Sequence, residues 1–231
     1  MTSLRFHHLL GGLSLALASL AAQADFANDI TVRLLAPGGT TGGSTNAIAL
    51  TQLVPLASFA DGVKAGNLGG TGDISSFMLD NERVFFSGNS IFIRIAVGDA
   101  AGGVYTTGTL GANGEHARYQ FDNLHITGQA ITGFQAFAFD GFATTGPASA
   151  IGLLTPTDPA TVVHLVGATS VALDLDTLVF KPRFPGESNN YAEIRINLLT
   201  TPVPEPATAA YLLAGGLLAL LRRQARLRRE S

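Results

Sequence analysis

The chain has 231 residues, 46% of them hydrophobic and 13% charged, with a formal net charge of −3. So high an apolar content with so little net charge excludes a wholly disordered chain, and the acidic balance is wrong for a general nucleic-acid binder. The absence of cysteine removes disulfide frameworks, zinc ribbons, iron–sulfur clusters and thiol catalysis.

The first element is an address rather than a piece of fold. Arg5 precedes an apolar run from Leu9 to Ala22, and Ala22-Gln23-Ala24 is a small-x-small cleavage pattern. A basic start, an apolar core and a small-residue exit form the layout of a secretory signal peptide. The core of about 14 residues makes a helix of roughly 21 Å, short of the about 30 Å of hydrocarbon in a bilayer. Residues 1–24 are therefore expected to engage the Sec machinery and signal peptidase, leaving Asp25 as the first residue of the exported chain.

Residues 25–201 read as one domain, long enough to bury a core. They hold 15 acidic and 8 basic residues, a charge of −7, so the near-neutral total conceals an acidic body and a basic tail. An acidic body repels polyanions and does not suit nucleic acid. Strands are predicted at Asp29–Ala36, Ile48–Phe59, Phe77–Phe86, Ser90–Val97, Val104–Leu110 and Ala117–Phe121. Others follow at Phe134–Phe142, Val162–Val166, Val171–Phe180 and Tyr191–Leu198. Ile91, Ile93, Ile95 and Val97 share one face of their run, and Ala192, Ile194, Ile196 and Leu198 alternate with Tyr191, Glu193, Arg195 and Asn197. Period two over such lengths marks half-buried strands. No run has the length and period of a crossover helix, which parallel strands would need. The expected fold is all-β, a single antiparallel β-sandwich of jelly-roll-like outline.

Pro37–Thr45 and Gly66–Gly72 are rich in glycine and poor in apolar groups, and read as flexible surface loops. Gly98–Gly103 reads as a hairpin turn. Phe137 and Phe139 fall on one face of their strand, Phe134 and Phe142 on the other. That pattern predicts a strand buried on both faces, with an exposed aromatic platform for sugar rings as the alternative.

Few residues ask for chemistry. Asp174 and Asp176 sit two apart on a strand-like run, so both carboxylates are expected on one side. Such a pair serves acid–base work on glycosides, or ligates Ca²⁺ with other oxygens, or belongs to a solvated face. The solvated face is the preferred reading, with Asp174 and Asp176 as weak calcium candidates. Gly69-Gly70-Thr71-Gly72-Asp73 approaches a calcium-binding glycine repeat but occurs once and reads as a turn. His116, His125 and His164 show no metal-ligand spacing and read as surface or edge-strand residues. Gly88-Asn89-Ser90-Ile91-Phe92 lacks the second glycine of a nucleophile elbow. No phosphate-binding or dinucleotide motif is present. No cofactor, no metal and no catalytic activity are expected.

The last segment is organised again. Thr200 to Thr208 carries three prolines, which bars a helix and full sheet pairing. Residues 207–221 are uncharged and mostly apolar, and Arg222, Arg223, Arg226, Arg228 and Arg229 follow. Six leucines in that run favour membrane insertion by roughly 2–4 kcal/mol, and Gly215 and Gly216 weaken it. A helix of about 22 Å makes a thin transmembrane span that needs Arg222 and Arg223 to snorkel or the bilayer to thin. The arginine cluster holds the cytoplasmic side, which leaves residues 25–201 outside, as a signal peptide also requires.

Val203-Pro204-Glu205-Pro206-Ala207, a short apolar helix and a terminal arginine cluster resemble the PEP-CTERM sorting signal of Gram-negative bacteria. The resemblance covers residues 202–231. It implies recognition by an exosortase-like membrane enzyme, processing of the tail near the motif, and an association with exopolysaccharide in biofilm or floc matrices. Localisation is then export, an inner-membrane-tethered intermediate, and finally the cell surface or medium. A secreted polysaccharide-active enzyme and a calcium-stabilised carbohydrate-binding module remain the alternatives for the body.

Overall fold

The computed structural model describes residues 25–41, 43, 45–69, 72–96, 105–138, 152–153, 161–181, 191–203 and 214–216. The strands are β1 (Ile30–Ala36), β2 (Ile48–Val54), β3 (Val63–Lys64), β4 (Arg83–Ser87), β5 (Ser90–Ala96), β6 (Tyr105–Thr106) and β7 (Arg118–Asp122). Then follow β8 (Gln129–Ala138), β9 (Gly152–Leu153), β10 (Val163–Gly167), β11 (Ser170–Asp174), β12 (Val179–Lys181) and β13 (Tyr191–Pro202). One sheet has the order β10-β11-β7-β1-β2, a second β3-β4-β5-β13-β8, and a small third β6-β12-β9. Every strand pairing is antiparallel.

Alternation builds the core, because successive side chains in a strand point to opposite faces. Ile30, Val32, Leu34 and Ala36 of β1 are buried, as are Ile91, Ile93 and Ile95 of β5 and Ala192, Ile194, Ile196 and Leu198 of β13. The inward residues of both five-stranded sheets join in one core. Phe86 of β4 meets Phe121 of β7 edge-to-face at 6.2 Å, and so ties one sheet to the other.

Several expected strands end early, for local reasons. The 48–59 run stops at Val54, where Pro55 has no N–H for the ladder and Leu56 N–H turns to Asp29 Oδ1 at 2.8 Å. The 77–86 strand starts only at Arg83. Before it, a one-turn helix (α1, Ile74–Phe77) is capped by Asp73, whose Oδ1 accepts from Ser76 N–H at 3.0 Å. Gly72 and Asp73 lead directly into this cap, and residues 70 and 71 lie outside the described residues. The 171–180 run breaks into β11 and β12 because Leu175 N–H pairs with Ala117 O at 2.7 Å, and Leu178 turns back to Leu175 O at 3.1 Å.

Other runs extend or pair beyond expectation. β13 continues to Pro202, which pairs opposite Gln129. At a strand end its missing N–H breaks no interior ladder bond. Pro37–Thr41 is no free loop, since Gly38 N–H donates to Leu110 O at 2.8 Å and Thr41 N–H to Gly108 O at 2.7 Å. β8 is an edge strand of its sheet, and none of its residues from Gln129 to Phe137 is fully buried. The expectation of a strand buried on both faces therefore fails there, because β13 covers only one edge and nothing among the described residues covers both faces. Phe139, Asp140, Phe142 and the Gly98–Gly103 turn lie outside the described residues.

At the start of β4, Glu82 is enclosed by two backbone amides, accepting from Leu79 N–H at 3.0 Å and Ala96 N–H at 3.3 Å. Burial pushes its carboxyl above the ordinary value of 4.5, and the two amide bonds offset part of that rise. Burial and the nearby Glu82 charge together push the Tyr119 hydroxyl up as well. A carboxyl raised in the folded state gives stability that is complete below pH 4.5 and lost as pH rises through the folded value. The Tm of the native body should therefore fall more steeply from pH 4.5 toward neutrality than that of Glu82→Gln. Parallel Tm curves across that window would show that burial does not hold this proton.

Candidate functional site

The outward face of the second sheet carries a row that crosses four strands. Register places Phe85 of β4 opposite Phe92 of β5, Phe92 opposite Arg195 of β13, and Arg195 opposite Phe137 of β8. The two β4–β5 rings stack, with centroids 4.7 Å apart and planes 8° from parallel. The Arg195 guanidinium lies 5.0 Å from the Phe137 centroid and 5.9 Å from that of Phe92. In the next row Arg83 faces Arg94, and Arg94 faces Glu193. Arg83 sits 4.6 Å above Phe85, and Arg94 sits 4.7 Å above Tyr191. Arg94 Nε also binds Glu193 Oε2 at 2.6 Å. On the other side of the aromatic row, Ser90 Oγ donates to Asn197 Oδ1 at 3.0 Å.

All of these side chains are half-buried. They keep part of their surface in water because they pack sideways on one another rather than into the core. Each arginine–ring contact is worth about 0.5–1 kcal/mol at such exposure. The three arginines outweigh Glu193, so this face is locally cationic on an acidic body. Chemically it offers flat apolar rings for C–H surfaces, with guanidinium, amide and hydroxyl groups beside them for hydroxyls or carboxylates.

The first sheet carries a polar outward face. Arg33 Nε lies 3.0 Å from Asp122 Oδ2, and Gln120 Nε2 donates to Asp122 Oδ1 at 2.9 Å. At its far side Asp174, at the end of β11, meets His164 of β10, Nε2 to Oδ2 at 2.8 Å. The Asp174 side chain is only 8% exposed, so it is not the solvated group the sequence suggested. The neighbouring β10 strand covers it. Asp176 sits past the strand end, in the turn, with its two oxygens 3.1 and 3.3 Å from His116 Nδ1. The two aspartates therefore serve different histidines rather than one shared task. Among the described residues no group of three or more His, Asp or Glu side chains is gathered as a metal site. His125 is exposed, and its carbonyl accepts from Ala27 N–H. Gly88-Asn89 is a hairpin turn between β4 and β5.

Of the two segments expected as terminal signals, the structure describes only the flanking residues and Ala214–Gly216. Asp25 is exposed at the start of the body. Val203 is exposed just past β13, its N–H donating to Gly128 O at 2.9 Å. Ala22, Ala24, Pro204, Glu205, Pro206, Ala207, Arg222, Arg223, Arg226, Arg228 and Arg229 lie outside the described residues. Within 207–221, Ala214–Gly216 is helical and exposed. Among the described residues no helix is long and apolar enough to cross a membrane.

The arginine–aromatic row was only half legible. The alternation of Tyr191, Glu193, Arg195 and Asn197 marks a polar face, but its partners Phe85 and Phe92 lie about a hundred residues away and depend on register. The His164–Asp174 contact had a local signal, the tight hairpin between β10 and β11. No protein-family model, no curated protein and no solved structure matches this chain.

Proposed function

We propose that this is an exported surface or matrix protein whose jelly-roll-like body contacts extracellular polysaccharide and has no catalytic role. Residues 1–24 direct export. Val203–Ala207 present the tail to an exosortase-type enzyme, residues 207–221 hold the chain at the inner membrane, and the terminal arginines keep the cytoplasmic side. The observation that carries the polysaccharide contact is the row Phe85–Phe92–Arg195–Phe137. It aligns apolar rings and cationic donors on one outward sheet face, where a core alone would need neither.

Affinity electrophoresis of the body through gels containing the producing cell's exopolysaccharide tests this. Phe92→Ala combined with Arg195→Ala should weaken retention about 10- to 100-fold, the loss of one ring and one guanidinium contact. Retention equal to the native chain, with native circular dichroism, would overturn the assignment. For the tail, Glu205→Ala with Pro206→Ala should abolish the change in C-terminal mass that processing produces, and unchanged processing would remove the sorting role.

The His164–Asp174 and His116–Asp176 contacts favour a second reading, an enzyme acting on polysaccharide. Under it, Asp174→Asn with Asp176→Asn abolishes turnover, and retained turnover discards it.

A further inference from the structure

Both covalent exits of the body lie at one end of the fold. Phe26 N–H donates to Gly88 O at 3.3 Å and Ala27 N–H to His125 O at 2.8 Å. Phe26 also bridges Ile126, and Ile126 bridges Gln129. On the same turn Gly128 O accepts from Val203 N–H. Asp25 and Val203 are thus held on either side of residues 125–129, next to the Gly88-Asn89 hairpin.

The long connections leave from the other end. β5 finishes at Ala96 opposite Tyr191, where β13 begins, and β8 finishes at Ala138 opposite Ile194. The chain segments 97–104, 139–151 and 182–190 therefore attach far from Val203, as does the His116–Asp176 pair beyond the end of β11. A 12-residue β13, at about 3.3 Å per residue, separates the two ends by roughly 35–40 Å.

We propose that the tethered precursor stands with the end bearing Asp25, the Gly88-Asn89 hairpin, residues 125–129 and Val203 against the bilayer. The opposite end, where β5 finishes and β13 begins, faces away. This rests on the reading of residues 1–24 and 207–221 as membrane segments. Only residues 204–206 separate Val203 from the apolar run, a reach of about 14 Å when fully extended. Asp25 is three links from Ala22, about 11 Å. Two such short tethers at one end leave the body no freedom to turn over, and cutting either one leaves the other in the same place. β13 then runs toward the membrane, so the face carrying Arg195 stands upright and open from the side.

The chain has no cysteine, so single labelled positions are unambiguous. Ser87→Cys and Thr127→Cys mark the exit end, and Thr45→Cys and Glu115→Cys the far end; all four positions are exposed. Each full-length variant, carrying one fluorophore, is reconstituted in phosphatidylethanolamine–phosphatidylglycerol vesicles containing a nitroxide-headgroup lipid, which quenches only at short range. Labels at 87 and 127 should lose most of their fluorescence, while labels at 45 and 115 keep theirs. Quenching at 45 and 115, or equal quenching at all four, in protein that floats with the vesicles would overturn the orientation alone. Protein that does not float with the vesicles would overturn the tether and the orientation together.

Discussion

Phe86→Ala should remove a large part of the stability of the body. Phe86 is 1% exposed and its ring meets Phe59 at 5.1 Å, Phe26 at 6.0 Å and Phe121 at 6.2 Å. Removing a buried phenylalanine costs about 3–5 kcal/mol, from lost burial and from the cavity left behind. A domain of this kind is stable by only about 5–15 kcal/mol, and no disulfide is present to restrain it. The check is the denaturant midpoint of Phe86→Ala beside that of Phe85→Ala. Phe85 is one residue earlier, on the outward face, where its loss removes a ring stack and cation contacts worth about 1–2 kcal/mol. The neighbouring positions should therefore differ by about 1–4 kcal/mol. Equal midpoints would mean that β4 does not have this register, since a one-residue slip exchanges the two faces.

The second large effect is expected at Gly62, whose φ is +61°. An added Cβ would run into Val84 O and stand 2.6 Å from Phe85 Cα. Both are backbone atoms of β4, which cannot swing aside as a side chain can. Gly62→Ala therefore combines a left-handed conformation, costing about 1–2 kcal/mol, with displacement of the strand that carries Phe85 and Phe86. Gly66 provides the control: its φ is +68°, but nothing lies within 4 Å of an added Cβ. Gly66→Ala should lose only about 1–2 kcal/mol. If Gly62→Ala melts no lower than Gly66→Ala, the close approach of residue 62 to β4 is not a constraint on the fold. If it melts far lower, the proposed polysaccharide retention should fall with it, because the arginine–aromatic row includes Phe85 and Arg83 of β4.

Alternation proved a strong guide wherever one face of a strand meets the core. β1, β5, β7 and β13 all fall where period two predicts them, because burying every second residue leaves a pattern that needs no partner to be read. The boundaries were poorer guides. α1 was missed because its single turn is set by the Asp73 cap, a four-residue signal between a glycine-rich segment and the run expected as a strand. β11 and β12 merged into one predicted strand because Leu175 and Leu178 are apolar and buried but sit in a turn, so burial there did not imply extension. β8 sets Phe134 and Phe137 on opposite faces, yet none of its residues from Gln129 to Phe137 is fully buried. An edge strand lacks a neighbour, and the sequence of an edge strand does not announce its position in the sheet.

The candidate site divides along the same line. Asp174 and Asp176 stand out as a pair in sequence, but each takes a histidine from elsewhere, and the near-complete burial of Asp174 depends on β10. The ring-and-guanidinium row needs four strands from residues 83–87, 90–96, 129–138 and 191–202 in one register.

From composition and periodicity alone came an antiparallel all-β body, an acidic middle, a basic tail and the inward positions of β5 and β13. These are local properties, because burial alternates along a strand whatever stands beside it. Strand order, the meeting of Arg195 with Phe92 and Phe137, and the gathering of Asp25 and Val203 at one end belong to the tertiary structure. Each requires backbone hydrogen bonds between segments far apart in the chain, and such pairings are selected by the packing of the whole core rather than by any one segment.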